Sequence, residues 1–142
     1  MSTTGSLPPG SAIGSFTIEA LIGRGGMGEV YRAVHPELER PVALKLLQSA
    51  LAGQEEFAAR FVREARTMQT LDHPGIATVL DAGDVGGRLY LTMDLINGIS
   101  LKDHLALGGL PTEETLAILK QLAEALDYAH SRGVIHLSLI HI

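Results

Sequence analysis

The chain has no cysteine. That removes a disulfide framework and thiolate metal sites together, and it fits a reducing compartment. An excess of positive charge is also missing: 11 Lys and Arg stand against 16 Asp and Glu, a formal net charge of −5. With a pI near 5.6, this balance argues against nucleic acid as the main partner. No apolar run approaches the roughly 20 residues of a membrane span. The N-terminus lacks the charged and apolar regions of a signal peptide. The expectation is a cytoplasmic segment without a membrane span, any anchor of a parent protein lying beyond it. The six histidines include no pair at metal-ligand spacing on a common helix face, so no metal site is expected.

What the chain does have is glycine at an informative spacing. The stretch Leu21-Ile22-Gly23-Arg24-Gly25-Gly26-Met27-Gly28-Glu29-Val30 holds Gly23-x-Gly25-x-x-Gly28, with Val30 two residues later. Glycine lets the backbone take φ > 0 and lie close to another group with no Cβ in the way. A loop of this kind can turn its N–H groups onto phosphate oxygens. The spacing alone also fits an ordinary glycine-rich turn, and the residues after it narrow the choice. In a dinucleotide-binding fold the third glycine opens a helix. Here Gly28 opens Glu29-Val30-Tyr31-Arg32-Ala33-Val34, whose Val30, Tyr31 and Val34 suit a strand. No Gly-Lys-Ser/Thr comes next, which excludes a Walker-type loop. Strand, glycine loop, strand is the geometry that remains. A further strand, Pro41-Val42-Ala43-Leu44-Lys45-Leu46-Leu47, carries Lys45 amid apolar neighbours.

Gly-x-Gly-x-x-Gly-x-Val with a downstream Val-Ala-Leu-Lys resembles the ATP-binding half of a protein kinase. The likeness covers about residues 13–136 and looks most like bacterial serine/threonine kinases, through Gly-Arg-Gly-Gly-Met-Gly-Glu-Val-Tyr-Arg-Ala and Leu-Asp-His-Pro-Gly-Ile. It implies an α+β fold: a small lobe of five antiparallel strands and one packed helix (13–94), a hinge (95–99) and the first helices of an incomplete large lobe (100–136). It implies ATP as the cofactor, Mg²⁺ in the intact parent, and transfer of the γ-phosphate to Ser or Thr of protein substrates. By the same resemblance Ile22, Gly23, Gly25, Gly26 and Gly28 belong to the nucleotide loop, and Val30 and Ala43 pack on the adenine face. Lys45 is the strand lysine and Glu64 its helix partner. Met93 takes the gatekeeper place, the Asp94 carbonyl and Ile96 N–H meet the adenine edge, and Ser100 falls near the ribose.

Residues 1–12 are rich in Ser, Thr, Gly and Pro, a disordered leader. Ile13 to Ile22 alternates as a first strand. From about Gln54 the period changes, and Phe57, Phe61, Ala65 and Met68 mark the inward face of a helix. Glu64 shares that face, where an unpaired charge costs several kcal/mol, and Lys45 has the matching need. Leu71-Asp72-His73-Pro74 ends the helix. Strands Ile76–Leu80 and Arg88–Asp94 come next, joined by the turn-rich Asp81-Ala82-Gly83-Asp84-Val85-Gly86-Gly87. Ser100 reads as an N-cap. Thr112 to Arg132 is a helix with Leu116, Leu119, Leu122, Ala123, Leu126 and Ala129 on one stripe, stopped by Gly133.

The likeness breaks after Gly133-Val134-Ile135-His136. A kinase continues with arginine and aspartate, the aspartate accepting the substrate hydroxyl proton; here Ser138 stands at that place and cannot act as a carboxylate base. The Asn and Asp that hold Mg²⁺ in kinases have no positions in the chain. A whole catalytic domain is roughly twice this size. Two readings of the missing half differ in class: a fragment of an active enzyme, or a catalytically dead nucleotide-binding regulatory or scaffold module. The abrupt break favours the fragment, which alone is expected to be inactive. The tail, residues 137–142, can be written CTG TCT CTT ATA CAC ATC, which looks like a transposon end used to tag sequencing fragments. The expectation is adapter sequence translated in frame, against a frameshift or an unusual natural terminus.

Overall fold

Alternating strands that bury one face need neighbours, and in the structure they find them in a single antiparallel sheet. The structure is a computed structural model that describes residues 7–25, 28–47 and 55–134. Strands β1 (Ala12–Ile13), β2 (Phe16–Gly25), β3 (Gly28–Val34), β4 (Pro41–Leu47), β5 (Val79–Val85) and β6 (Arg88–Asp94) lie in the order β1-β2-β3-β4-β6-β5. The helices are α1 (Glu55–Gln69), α2 (Leu101–Ala106) and α3 (Thr112–Ser131). The described residues fall into two compact units: those up to Thr70 plus Thr78–Leu95, and Leu71–Ala77 plus those from Ile96 on.

In the first unit the sheet has six strands where five were expected. The extra one comes from a fold-back inside the predicted Ile13–Ile22 strand. Gly14, at φ 58°, reverses the chain so that Ile13 pairs with Phe16 and Ala12 with Thr17. A two-residue strand is too short to leave a periodic signal. The second correction concerns β5, which runs Val79–Val85 rather than Ile76–Leu80. Asp81, Ala82, Gly83 and Asp84 have turn composition, yet each pairs with β6. The reversal is only Gly86-Gly87, at φ 59° and 85°, the two positive values that a type I′ hairpin needs. The Asp84 Oδ1 accepts the Gly87 N–H at 2.9 Å.

One face of the sheet carries a core of Ile13, Phe16, Ile18, Tyr31, Ala33, Leu44 and Leu46, with Leu7, Val85 and Tyr90 packed on it. The turn between β3 and β4 is held by the buried His35. Its Nδ1 accepts the N–H groups of Glu37 and Leu38 at 3.2 and 3.1 Å, and its Nε2 lies 2.8 Å from Asp81 Oδ2. Helix α1 begins with Glu55 and Glu56, which suit the positive end of its dipole. It buries Ala65, half-buries Phe57, Phe61 and Met68, and packs against β5.

The second unit forms around Leu71, Ala129 and Val134, with Ile76 and Tyr128 against them. The Tyr128 hydroxyl accepts the Asp72 N–H at 2.9 Å. At the end of α3, Gly133 (φ 82°) lets Val134 N–H reach the Ala129 carbonyl and its own N–H reach that of His130, a Schellman cap. The predicted apolar stripe of α3 is only partly covered: Ala129 is buried and Leu126 half-buried, while Leu116, Leu119, Leu122 and Ala123 are exposed; Ala125, outside that stripe, is buried.

Candidate functional site

Register decides which side chains share a face, because directly paired residues in an antiparallel sheet point the same way. Gly23 pairs with Val30, Val30 with Lys45, and Lys45 with Leu91. The next row on that face, two residues along each strand, is Arg32, Ala43 and Met93. Gly23, Val30, Ala43, Lys45 and Met93, selected from the sequence for one ligand, therefore lie on one face. It is the face opposite Tyr31, Ala33, Leu44 and Leu46. A register shift between Leu21 and Gly23 falls at Ile22, whose side chain is 52% exposed. Bulges commonly re-aim side chains near functional sites.

The two described glycines at the ends of the motif are glycine for different reasons. At Gly28 the backbone has φ 152°, and a Cβ would collide with the Leu46 carbonyl oxygen. Close approach of β3 to β4 therefore demands it. At Gly23 a Cβ would meet nothing within 4 Å, so no packing within the described residues requires glycine there. Gly25 pairs with Gly28 across the hairpin. Gly26 lies outside the described residues.

Lys45 is half-buried, and desolvation lowers its pKa from the ordinary 10.5. Partial burial weakens screening by water, so an anion brought close to this ammonium would be held more firmly than at the surface. Glu64 departs from its expected place on the inward face. Its side chain is 54% exposed and its Oε1 accepts from Arg60 Nε at 3.2 Å, one helical turn away. Position 64 falls at the edge of the stripe defined by Phe57, Phe61, Ala65 and Met68, where its carboxylate reaches water.

Met93 is buried at the end of β6. The Asp94 N–H donates to the Thr78 carbonyl at 2.9 Å, and its carboxylate meets Arg40 Nη2 at 3.3 Å. Ile96 is exposed and belongs to the second unit. Ser100 caps α2: its Oγ accepts the Asp103 N–H at 3.0 Å. His136, Ser138 and the tail of residues 137–142 lie outside the described residues.

Sequence reading passed over Arg24 and Glu29. They pair across the hairpin just before its glycines, with Arg24 Nη2 2.8 Å from Glu29 Oε2. Opposite charges placed symmetrically around a predicted turn are the signal that would have found them.

A glycine hairpin beside a strand lysine, on an antiparallel sheet with one helix packed against it, defines the small lobe of a protein kinase. The chain belongs to that family: the protein kinase domain matches residues 16–139. It is 42% identical over 130 residues to the serine/threonine-protein kinase PknJ of Mycobacterium tuberculosis, covering 92% of this chain and 22% of PknJ. With PknF of the same organism the identity is 44% over 133 residues, covering 92% of this chain and 28% of PknF. The crystal structure of the M. tuberculosis PknI kinase domain superposes with a TM-score of 0.82 at 40% identity, covering 92% of this chain and 54% of that one. The chain thus spans about a quarter of the length of the curated relatives it matches. Among the described residues no helix is long and apolar enough to cross a membrane.

Proposed function

We propose that this chain is the ATP-binding portion of a protein serine/threonine kinase, and that the intact protein transfers the γ-phosphate of ATP to Ser or Thr of protein substrates. The observation that carries the reading is the shared sheet face of Gly23, Val30, Ala43, Lys45 and Met93. Ile22, Val30, Ala43 and Met93 supply apolar surface for adenine, in line with the mostly apolar lining of small-molecule sites. Lys45 supplies the cation for the phosphates, and the hairpin leaves space at Gly23. Glu64 is proposed to swing from Arg60 to orient Lys45 when nucleotide is bound. Mg²⁺ neutralises phosphate charge in kinases. Among the described residues no group of three His, Cys, Asp or Glu could hold it, so its ligands are not assigned to them.

The test is titration of the chain with a fluorescent ATP analogue. Lys45→Met is expected to weaken binding at least about tenfold, the loss of a charge-assisted contact, while the circular dichroism spectrum stays unchanged. Equal affinity in a folded Lys45→Met variant would refute the assignment.

A further inference from the structure

The strands that carry the glycine hairpin are tied to the beginning of the chain by hydrogen bonds that nucleotide contact does not use. Leu7 donates its backbone N–H to the Tyr31 hydroxyl at 2.9 Å, and that hydroxyl donates to Glu29 Oε1 at 3.0 Å. The other oxygen, Glu29 Oε2, accepts from Arg24 Nε at 3.1 Å and Nη2 at 2.8 Å. Arg24 and Glu29 are the cross-strand pair next to Gly25 and Gly28. So the run starts outside the sheet and ends at the hairpin.

The Leu7–Tyr31 and Tyr31–Glu29 links are sheltered, while the last one ends on Arg24, whose side chain is 52% exposed. The Tyr31 side chain is fully buried, and burial pushes its hydroxyl pKa up, with the Leu7 N–H opposing. The hydroxyl therefore keeps its proton and stays a donor. The Glu29 carboxylate is only 17% exposed, which makes its hydrogen bonds harder for water to replace. Leu7 is held at its own end by packing on the core cluster. Just beyond it, Gly10 N–H donates to the Ile18 carbonyl and Ile18 N–H to that of Ser11, both at 2.8 Å.

We propose that Tyr31 and Glu29 are positioning residues that transmit the docking of Leu7 to the glycine hairpin, so that the residues ahead of the sheet set how firmly the hairpin is held. The consequence for nucleotide affinity rests on the ATP reading; the mechanical link does not. Tyr31 uses its hydroxyl as acceptor and donor at once, and Glu29 uses both oxygens. Removing one link therefore leaves the next polar group short of a partner.

Amide hydrogen exchange by NMR on the 142-residue chain tests the link directly. Leu7→Pro deletes the N–H donor and Tyr31→Phe deletes the hydroxyl. Either is expected to speed exchange at Arg24, Gly25, Gly28 and Glu29 roughly fivefold, the loss of one net hydrogen bond, while amides of the β5–β6 hairpin stay unchanged. The double variant should be no faster than Tyr31→Phe alone, because both cut one path. Unchanged exchange at the hairpin in Leu7→Pro, acceleration spread evenly over the sheet, or additive effects in the double variant would each overturn the proposal. Should Tyr31→Phe not fold, Leu7→Pro decides by itself. Affinity for a fluorescent ATP analogue should fall severalfold in Leu7→Pro. A wild-type chain that binds no nucleotide would remove the ATP reading while leaving the exchange result to judge the link.

Discussion

Gly28 sits where the hairpin returns to the sheet, with a positive φ and the Leu46 carbonyl in the place a Cβ would take. Gly28→Ala combines backbone strain with a backbone collision, so it should destabilise the chain by roughly 2–3 kcal/mol. Gly23→Ala meets open space at an ordinary φ and should cost under about 1 kcal/mol. Urea unfolding of the two variants checks both, and equal losses would contradict the distinction. Lys45 gives a pH signature. Its folded pKa lies below the unfolded 10.5, so between those values the unfolded chain binds more protons than the folded one. Stability from this group therefore rises with pH toward 10.5 and is lowest below the folded pKa. Lys45→Met lacks that rise. Tyr31 and Tyr90, raised above 10.0 by burial, work the other way above pH 10. Thermal melts of both proteins from pH 7 to 10 read the difference. Gly23, Val30, Ala43 and Lys45 could be picked out because they stand in short motifs, Gly-x-Gly-x-x-Gly-x-Val and Val-Ala-Leu-Lys, whereas Met93 followed only from the likeness of its strand to the one that runs into the hinge. Glu29 and Arg24 were passed over although they stand symmetrically about the glycine turn, and the register shows that they face each other.

Helix α1 shows how far periodicity reaches. Phe57, Phe61, Ala65 and Met68 were recognisable as the inward stripe because four residues repeat at helical spacing. The place of Glu64 was not, since a residue at the edge of a stripe goes inward or outward according to what its neighbours offer. Arg60, one turn before it, offers an exposed pair. Such a pair at i,i+4 is worth about 0.3–0.5 kcal/mol. Glu64→Gln should therefore change the stability of this chain by no more than that, while lowering phosphoryl transfer in the full-length protein through a mispositioned Lys45. A loss above about 2 kcal/mol in urea unfolding would mean that the carboxylate is buried after all. At the same scale, β3 was legible from the strand-favouring Val30, Tyr31 and Val34, and β4 from its apolar run. The far half of β5 was not, because pairing with β6 overrides the turn composition of Asp81-Ala82-Gly83-Asp84.

In the molecule as a whole, several large apolar side chains among the described residues are exposed, and those of α3 lie together. Leu116, Leu119 and Leu122 recur on one side of α3, at 61%, 53% and 37% exposure. An exposed apolar stripe of this kind favours association, since covering it gains roughly 25 cal/mol per Å². The chain is expected to self-associate at micromolar concentration and to lack phosphoryl transfer on its own. Replacing the three leucines by serine should shift the sedimentation profile toward monomer, with the first unit unchanged by hydrogen exchange. Persistence of the larger species in that variant would place the contact elsewhere.

His35 gives the first unit a spectroscopic reporter of its own. Its Nδ1 accepts two backbone N–H groups, so in the neutral ring the proton must sit on Nε2 and point at Asp81 Oδ2. A free imidazole in water exchanges between both tautomers, whereas this one is confined to a single form for as long as the β3–β4 turn and β5 stay together. The ¹⁵N shifts of one ring therefore report whether the sheet has assembled, without any ligand, substrate or enzymatic turnover.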